Sequence, residues 1–373
     1  MVRFDDLALI PGSLTQNDPE QMRRIRDCGF NCAGLVSRDT LDTCQRFRLK
    51  ALLVDPELTV GPDAVHWSDL EIDRRVRQFT ESVKAHPALY AYFINDEPGA
   101  ELFPILRRVV AAFKRHDPMH PALTNLYPNY CDLPRLGTRT YREYLDRAVR
   151  EIRLEVLSYD HYAIMDDGSI RNGYYSNLED ARRIALKYGI PCWNIVLSNA
   201  HFNFAEPSPA SLRFQAWTSL ACGMRGLGWF TYDAPPTGNY RLAPVDQFGQ
   251  PTATWEMLRD VLQSVGRIAA HLRPLCSHCV YGVGDAGPLP APRNALLQRA
   301  EGNQLMIGEF HAASGIQAVV AVNTSLTQST PIDLVFRRSG QSHMISPWTG
   351  QPTPFTGEQR WLAPGQGVLV VNR

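Results

Sequence analysis

The feature that most constrains this chain is a rhythm. Over about the first 270 residues, eight short apolar runs alternate with amphipathic stretches, the pattern of a parallel sheet whose strands are joined by crossover helices. The runs are Leu7–Ile10, Asn31–Val36, Ala51–Val54, Leu89–Ile94, Ala122–Leu126, Val156–Tyr159, Cys192–Leu197 and Leu227–Tyr232. Several are near-continuously apolar, as expected of strands covered on both faces. The segments between them carry helix punctuation. Asp18-Pro19-Glu20 offers a cap with proline at the first helical position, and Cys28-Gly29 offers a stop. Leu102, Leu106, Val109, Val110 and Phe113 recur at helical spacing, as do Tyr141, Tyr144, Leu145, Ala148 and Ile152. Eight such units predict a (β/α)8 (TIM) barrel. An open doubly wound sheet would present a glycine-rich phosphate turn after its first strand, and Ile10-Pro11-Gly12-Ser13 is not one.

After about His271 the grammar changes. Short strand-like runs (Gln304–Phe310, Gln317–Asn323, Ile332–Phe336, Gly367–Val371) are separated by Gly, Pro, Ser and Thr. This predicts a C-terminal antiparallel β-sandwich, with a barrel over 1–272, the sandwich over 273–373 and a Pro/Gly-rich loop over 285–293. With 38 basic and 38 acidic residues the net charge is zero, which argues against a nucleic-acid footprint. No apolar run reaches bilayer length, and the opening Met1–Gly12 does not read as a signal peptide; compartment and oligomeric state stay open. Cys276-Ser277-His278-Cys279 is the single CxxC among eight cysteines. No second ligand pair follows it, so the expectation is two small residues at a strand edge and no metal or other cofactor.

In a βα barrel, catalytic groups sit at the C-terminal ends of the strands. Those positions give Asp55 and Glu57, then Asn95-Asp96-Glu97-Pro98, then Asn125, Tyr127 and Tyr130. They continue with Asp160, His161 and Tyr162, then Ser198, Asn199, His201 and Glu206, then Tyr232 and Asp233. Ala91–Pro98 carries the most weight. A buried strand that runs straight into two carboxylates needs a reason, because a charge at a packed rim is expensive unless paired or used. Adjacent carboxylates also raise each other's pKa, one way to keep an acid protonated near neutrality.

Here the chain resembles the large clan of retaining barrel glycosidases that includes β-galactosidases and cellulases. Tyr92-x-x-x-Asp96-Glu97-Pro98 looks like that clan's acid/base strand. Asn125–Tyr130, Leu157–Tyr162 and Ala221–Gly226 with Trp229–Tyr232 look like further barrel segments of the β-galactosidase type. The resemblance implies an O-glycosidic hydrolase with Glu97 as general acid, a carbohydrate substrate and no required cofactor. Two departures stand out. The clan's asparagine before the acid is Asp96 here, and the clan's strand-seven nucleophile has no counterpart, since that strand reads Trp193–Asn199. A second carboxyl is nevertheless required, about 5–5.5 Å away for retention or about 6.5–9.5 Å for inversion. Asp160 is the expected partner, held ionised by His161 and Tyr162, with Glu206 the weaker choice. Asp96, Asn125, His161, His201 and Tyr232 are expected to bind sugar hydroxyls, and Tyr127, Tyr162, Trp229 and Tyr232 to stack on pyranose faces. The competing readings are a non-catalytic carbohydrate-binding barrel, or a barrel hydrolase or lyase of different chemistry.

Overall fold

The computed structural model describes residues 7–284, 290, 292–356 and 360–373. The first six residues of the opening segment, and most of the loop expected over 285–293, lie outside them. Eight parallel strands form one sheet: β1 (Ala8–Pro11), β2 (Cys32–Val36), β3 (Lys50–Val54), β4 (Leu89–Asp96), β5 (Ala122–Leu126), β6 (Leu157–Asp160), β7 (Cys192–Leu197) and β8 (Gly226–Phe230). From β2 to β8 each strand pairs with the next in sequence, and β8 returns to pair with β1, so β1 and β2 form the two ends of the sheet order. A Leu14–Leu35 bridge joins the ends of β1 and β2. The result is the expected barrel, and it places β8 diametrically across from β4.

The helices form where the punctuation predicts. In α1 (Pro19–Cys28) the Asp18 carboxylate accepts the Glu20 amide at 2.9 Å, and Gly29 closes the helix at φ 108°, a left-handed conformation that costs glycine little. The later helices are α2 (Leu41–Arg46), α3 (Asp69–Val83), α4 (Phe103–His116), α5 (Leu133–Leu136), α6 (Tyr141–Arg147), α7 (Tyr174–Tyr188), α8 (Pro209–Ala221) and α9 (Ala253–Leu272). The stretch expected as one helix from Tyr141 is α-helical over Tyr141–Arg147 and widens into a π-turn over Ala148–Arg153.

After Leu272 the chain turns antiparallel. A six-stranded sheet contains β9 (Cys276–Gly284), β11 (Gln304–His311), β12 (Gln317–Asn323), β15 (Ser342–Ile345), β16 (Pro352–Pro354) and β18 (Gly367–Asn372), in the order β16-β15-β18-β12-β11-β9. Two small two-stranded sheets, β10 (Leu297–Glu301) with β14 (Asp333–Phe336) and β13 (Thr330–Pro331) with β17 (Trp361–Leu362), accompany it. The large sheet is apolar on both faces. Met306, Phe310, Val320, Val322, Leu369 and Val371 join the same core as the barrel helices. Leu305, Ile307, Val319, Val368 and Val370 pack instead with Leu297, Leu334 and Phe336 from the small sheets.

Helix α8 is clamped between barrel and sheet, which explains why it is buried nearly all round and lacks a polar face. Three glycines make the approach possible. A Cβ at Gly308 would overlap the Ala221 carbonyl, one at Gly365 the Ala210 carbonyl, and one at Gly367 the Trp217 ring. Arg213 on α8 fixes the register by donating to the Pro364 carbonyl at 2.9 and 3.2 Å.

Candidate active site

The strand ends surround a cavity of about 1060 Å³ at the C-terminal face of the barrel, the face where such barrels place their chemistry. Asp96 and Glu97 reach it from β4, Asn125 from β5, and Ser158 and Asp160 from β6. His201 comes from the segment after β7, and Phe230, Thr231 and Asp233 from β8 and its loop.

The carboxylate group is built on two backbone devices. At the end of β4 the Glu97 amide donates to the Asn125 carbonyl at 2.8 Å, while its φ is 50°. A non-glycine residue at positive φ is strained, and such strain clusters at functional sites. It turns the Glu97 side chain inward over β5. The Tyr144 hydroxyl then donates to the Pro98 carbonyl at 2.7 Å and holds the bend. On β5, the Asn125 amide nitrogen lies 2.9 Å from Asp160 Oδ1 and 3.3 Å from Asp96 Oδ1. Its carbonyl oxygen accepts from the Ser158 hydroxyl at 3.0 Å. Asn125 is therefore a bridge, oriented from behind by Ser158.

Asp160 and Glu97 are hydrogen-bonded directly to each other. The expectation that Asp160 is ionised is corrected: burial, then the Glu97 and Asp96 carboxyls beside it, push its pKa well above the usual carboxylate range. His161 offers no relief, because the next residue along the strand points the other way. Burial and the proximity of Asp96 also raise Glu97, against weaker lowering by Asp160 and Arg135. Asp96 opens into the cavity but is ringed by protein, and burial raises it too. Two carboxyls in contact share a proton and titrate as a unit.

The other candidates divide sharply. Tyr162 and His201 line the cavity as expected, joined by Phe230 and Tyr240. Tyr162 stacks on Phe230 with ring centroids 5.6 Å apart, and His201 stacks on Tyr240 at 5.1 Å. Burial lowers the His201 pKa, and its Nδ1 lies 3.0 Å from Asn199 Oδ1, so it meets a ligand as a neutral imidazole.

Four expected residues do not line the cavity. Trp229 is fully buried toward the helices. The inward positions of β8 are Gly226, Gly228 and Phe230, the two glycines lying against Trp193 and Ile195. Tyr232 is buried and accepts from the Trp255 indole at 2.9 Å. Tyr127 packs against Tyr144. His161 is sealed between Tyr130 and Tyr174, and burial with nearby Arg171 depresses its pKa to about 3. Asp55, Glu57 and Glu206 also lie outside the cavity lining. The alternating glycines of β8 were the overlooked signal, because residues that face a crowded interior must be small or be the ones in contact.

Away from the barrel, Cys276 and Cys279 lie on the edge strand β9 with their thiols free. Ligand atoms of His278, Cys279 and Glu309 fall within 4.8 Å of one another. Glu309, however, already accepts from Cys279 Sγ (3.2 Å), the Tyr281 hydroxyl (2.9 Å) and the Leu296 and Leu297 amides (2.5 and 3.0 Å). Its acceptor sites are filled, and it serves as a buried tie between β11 and the start of the Leu297 strand. Among the described residues, no helix is long and apolar enough to cross a membrane.

No family model matches the chain, and no curated protein sequence matches it. Solved structures do match in fold. A β-galactosidase from Bacillus circulans sp. alkalophilus is 9% identical with a TM-score of 0.66, over 100% of each chain. A GH42 β-galactosidase from G. stearothermophilus is 8% identical with a TM-score of 0.62, over 99% of this chain and 98% of that one. A glycoside hydrolase family 5 structure from Bacteroides vulgatus ATCC 8482 is 13% identical with a TM-score of 0.62, covering 98% and 88%. A β-galactosidase from Marinomonas ef1 matches over only 62% of its own length. At these identities the likeness is one of fold.

Proposed function

We propose that this chain is a glycoside hydrolase in which the Glu97–Asp160 pair delivers a proton to the leaving glycosidic oxygen. The observation that carries the reading is the convergence of Asp96, Glu97 and Asp160 on one rim of a barrel cavity, with every one of the three pKa values raised. A protonated carboxyl is what departure of a sugar alkoxide requires. Glu97 faces the cavity and gives up the proton; Asp160, buried behind it, holds the proton in reserve. Tyr162, Phe230 and Tyr240 offer aromatic faces in the cavity lining, suited to the C–H faces of pyranose rings. Asp96 is left to accept from sugar hydroxyls, held in place by the Asn125 amide. The cavity lies at the upper end of small-ligand site volumes, large enough for more than one sugar ring.

The fold likeness to β-galactosidases and a family 5 glycoside hydrolase supports this reading at the level of architecture. It rests on the site for its chemistry. A binding-only barrel is the second reading, favoured by the fact that β7 and its following segment bring no carboxylate to the cavity lining. The test is hydrolysis of aryl glycosides, starting with β-D-galactopyranosides, by wild type and Glu97→Gln. Cleavage that the amide abolishes supports the hydrolase; a chain that binds the sugars but releases no phenol supports the binding-only barrel.

A further inference from the structure

Glu309 on β11 is fully buried. Its hydrogen-bond donors are two backbone amides, a tyrosine hydroxyl and a thiol, none of which carries charge. Among the described residues, no Lys or Arg forms an ion pair with it. Buried charges are ordinarily paired or bound to a metal, so this carboxylate is short of a cation.

The neighbouring strand is shaped around it. β9 pairs antiparallel with β11, placing Cys279 opposite Glu309 and Ser277 opposite Phe310. His278 is therefore the extra residue of a β-bulge. In a regular strand His278 and Cys279 would point to opposite faces, but a bulge re-aims a side chain. Here one ligand atom each from His278, Cys279 and Glu309 lies within 4.8 Å of the others. Cys279 Sγ and Glu309 Oε2 are 3.2 Å apart. Zinc bonds of about 2.3 Å to sulfur and about 2.0–2.2 Å to nitrogen or oxygen set tetrahedral ligand atoms roughly 3.3–3.6 Å apart. Sulfur and carboxylate already stand near that spacing. The imidazole is oriented from behind, with Nε2 at 3.1 Å from the Asn294 carbonyl. A carbonyl only accepts, so Nε2 carries the hydrogen and the lone pair sits on Nδ1. Metal-binding histidines are held in this way through their other nitrogen.

We infer that His278, Cys279 and Glu309 form a zinc site on the C-terminal sheet. The inference does not depend on the hydrolase reading of the barrel. One sulfur, one nitrogen and one oxygen donor suit zinc better than magnesium or calcium, which take oxygen. In the metal-free chain, burial and the Glu309 carboxyl raise the Cys279 pKa, and the thiol stays protonated. Zinc takes the place of that hydrogen. The S–H proton leaves to solvent, a sulfur–zinc bond forms, and Glu309 Oε2 binds the ion where it had accepted the thiol. The other three hydrogen bonds to Glu309 are kept. Thiolate, carboxylate, neutral imidazole and Zn²⁺ sum to zero charge, which relieves the cost of an unpaired buried carboxylate. A fourth position is open to water or to His311, whose ring centroid lies 5.9 Å from that of His278. The ion fastens the edge strand β9 to β11.

The test uses the full chain, stripped with chelator and then dialysed against Zn²⁺ or Co²⁺. Wild type should bind one Zn²⁺ per chain and gain Tm on doing so. With Co²⁺ it should show the near-ultraviolet absorption of a thiolate bound to cobalt. Cys279→Ser, whose hydroxyl can still donate to Glu309, should lose that absorption. Both Cys279→Ser and His278→Ala should bind Zn²⁺ at least about 10–100-fold more weakly. Cys276→Ser, at the exposed thiol nearby, should bind as wild type does. Glu309 is left intact because it also holds the Leu296 and Leu297 amides. Wild type that takes up no Zn²⁺ at micromolar concentration overturns the inference, as does Co²⁺ bound without thiolate absorption. Binding lost in Cys276→Ser but kept in Cys279→Ser overturns it too, since that marks an adventitious surface thiol.

Discussion

Replacing Asp160 with asparagine should make the protein more stable at neutral pH, and the gain should grow with pH. The substitution fits the site: the new Oδ1 can still accept from Asn125, and the new amide can donate to Glu97 as the protonated acid does. The sign follows from proton linkage. Asp160 is 5% exposed and its folded pKa is raised by burial and by Glu97 and Asp96. The folded chain therefore binds this proton more tightly than the unfolded chain, whose value is near 3.8. From that value upward, wild type loses stability until the folded pKa is passed. Asparagine has no proton to lose. Each pH unit in the window is worth about 1.36 kcal/mol. From pH 3.8 to 7 the ceiling is therefore about 4.4 kcal/mol. Unfolding entropy of about 2.1 cal/mol/K per residue gives about 0.8 kcal/mol/K for 373 residues, so the ceiling is about 5.5 °C in Tm. Thermal melts of both proteins from pH 4 to 8 read this directly. The two should coincide near pH 4 and diverge above it. A constant offset at all pH values, or an Asp160→Asn protein that is less stable at pH 7, would refute the reasoning.

Two further outcomes probe the frame that holds the site. Gly308→Val should lower Tm by a few degrees, because the side chain overlaps the Ala221 carbonyl and overpacking costs typically about 1–3 kcal/mol; an unchanged melt would show that α8 and the sheet are not in contact there. Glu309→Ala leaves the Tyr281 hydroxyl and the Leu296 and Leu297 amides without their acceptor. At about 1–3 kcal/mol for each stranded buried donor, it should be the more damaging of the two, with reduced soluble yield or a Tm drop beyond that of Gly308→Val.

How much of this was legible in the sequence follows from what each signal depends on. The eight barrel strands were readable because burial on both faces makes them continuous apolar runs, and their ends shifted by no more than two residues. Asp18-Pro19 and Gly29 were readable because a cap is a local device. The Asp96-Glu97 ending of β4 was readable because two charges at a buried strand end are costly wherever the strand lies. Side-chain direction was not. His161 beside Asp160, and Trp229 beside Phe230, differ by one residue and so by the whole thickness of the barrel wall. The extent of β9 was not readable, because an edge strand need not be apolar; its Cys-Ser-His-Cys start reads only as small residues at a strand edge. The state of Asp160 was beyond reach for a different reason: it is set by burial in the folded barrel and then by Glu97, 63 positions away in the chain, and Asp96.

The most direct test of the central claim is the kcat of wild type and Glu97→Gln on aryl glycosides at neutral pH. The structure leads us to expect release of the phenol by wild type and a loss of about 10²–10⁴-fold in the variant, with no loss of Tm. Equal rates in the two proteins would remove Glu97, and the proton pair with it, from the chemistry.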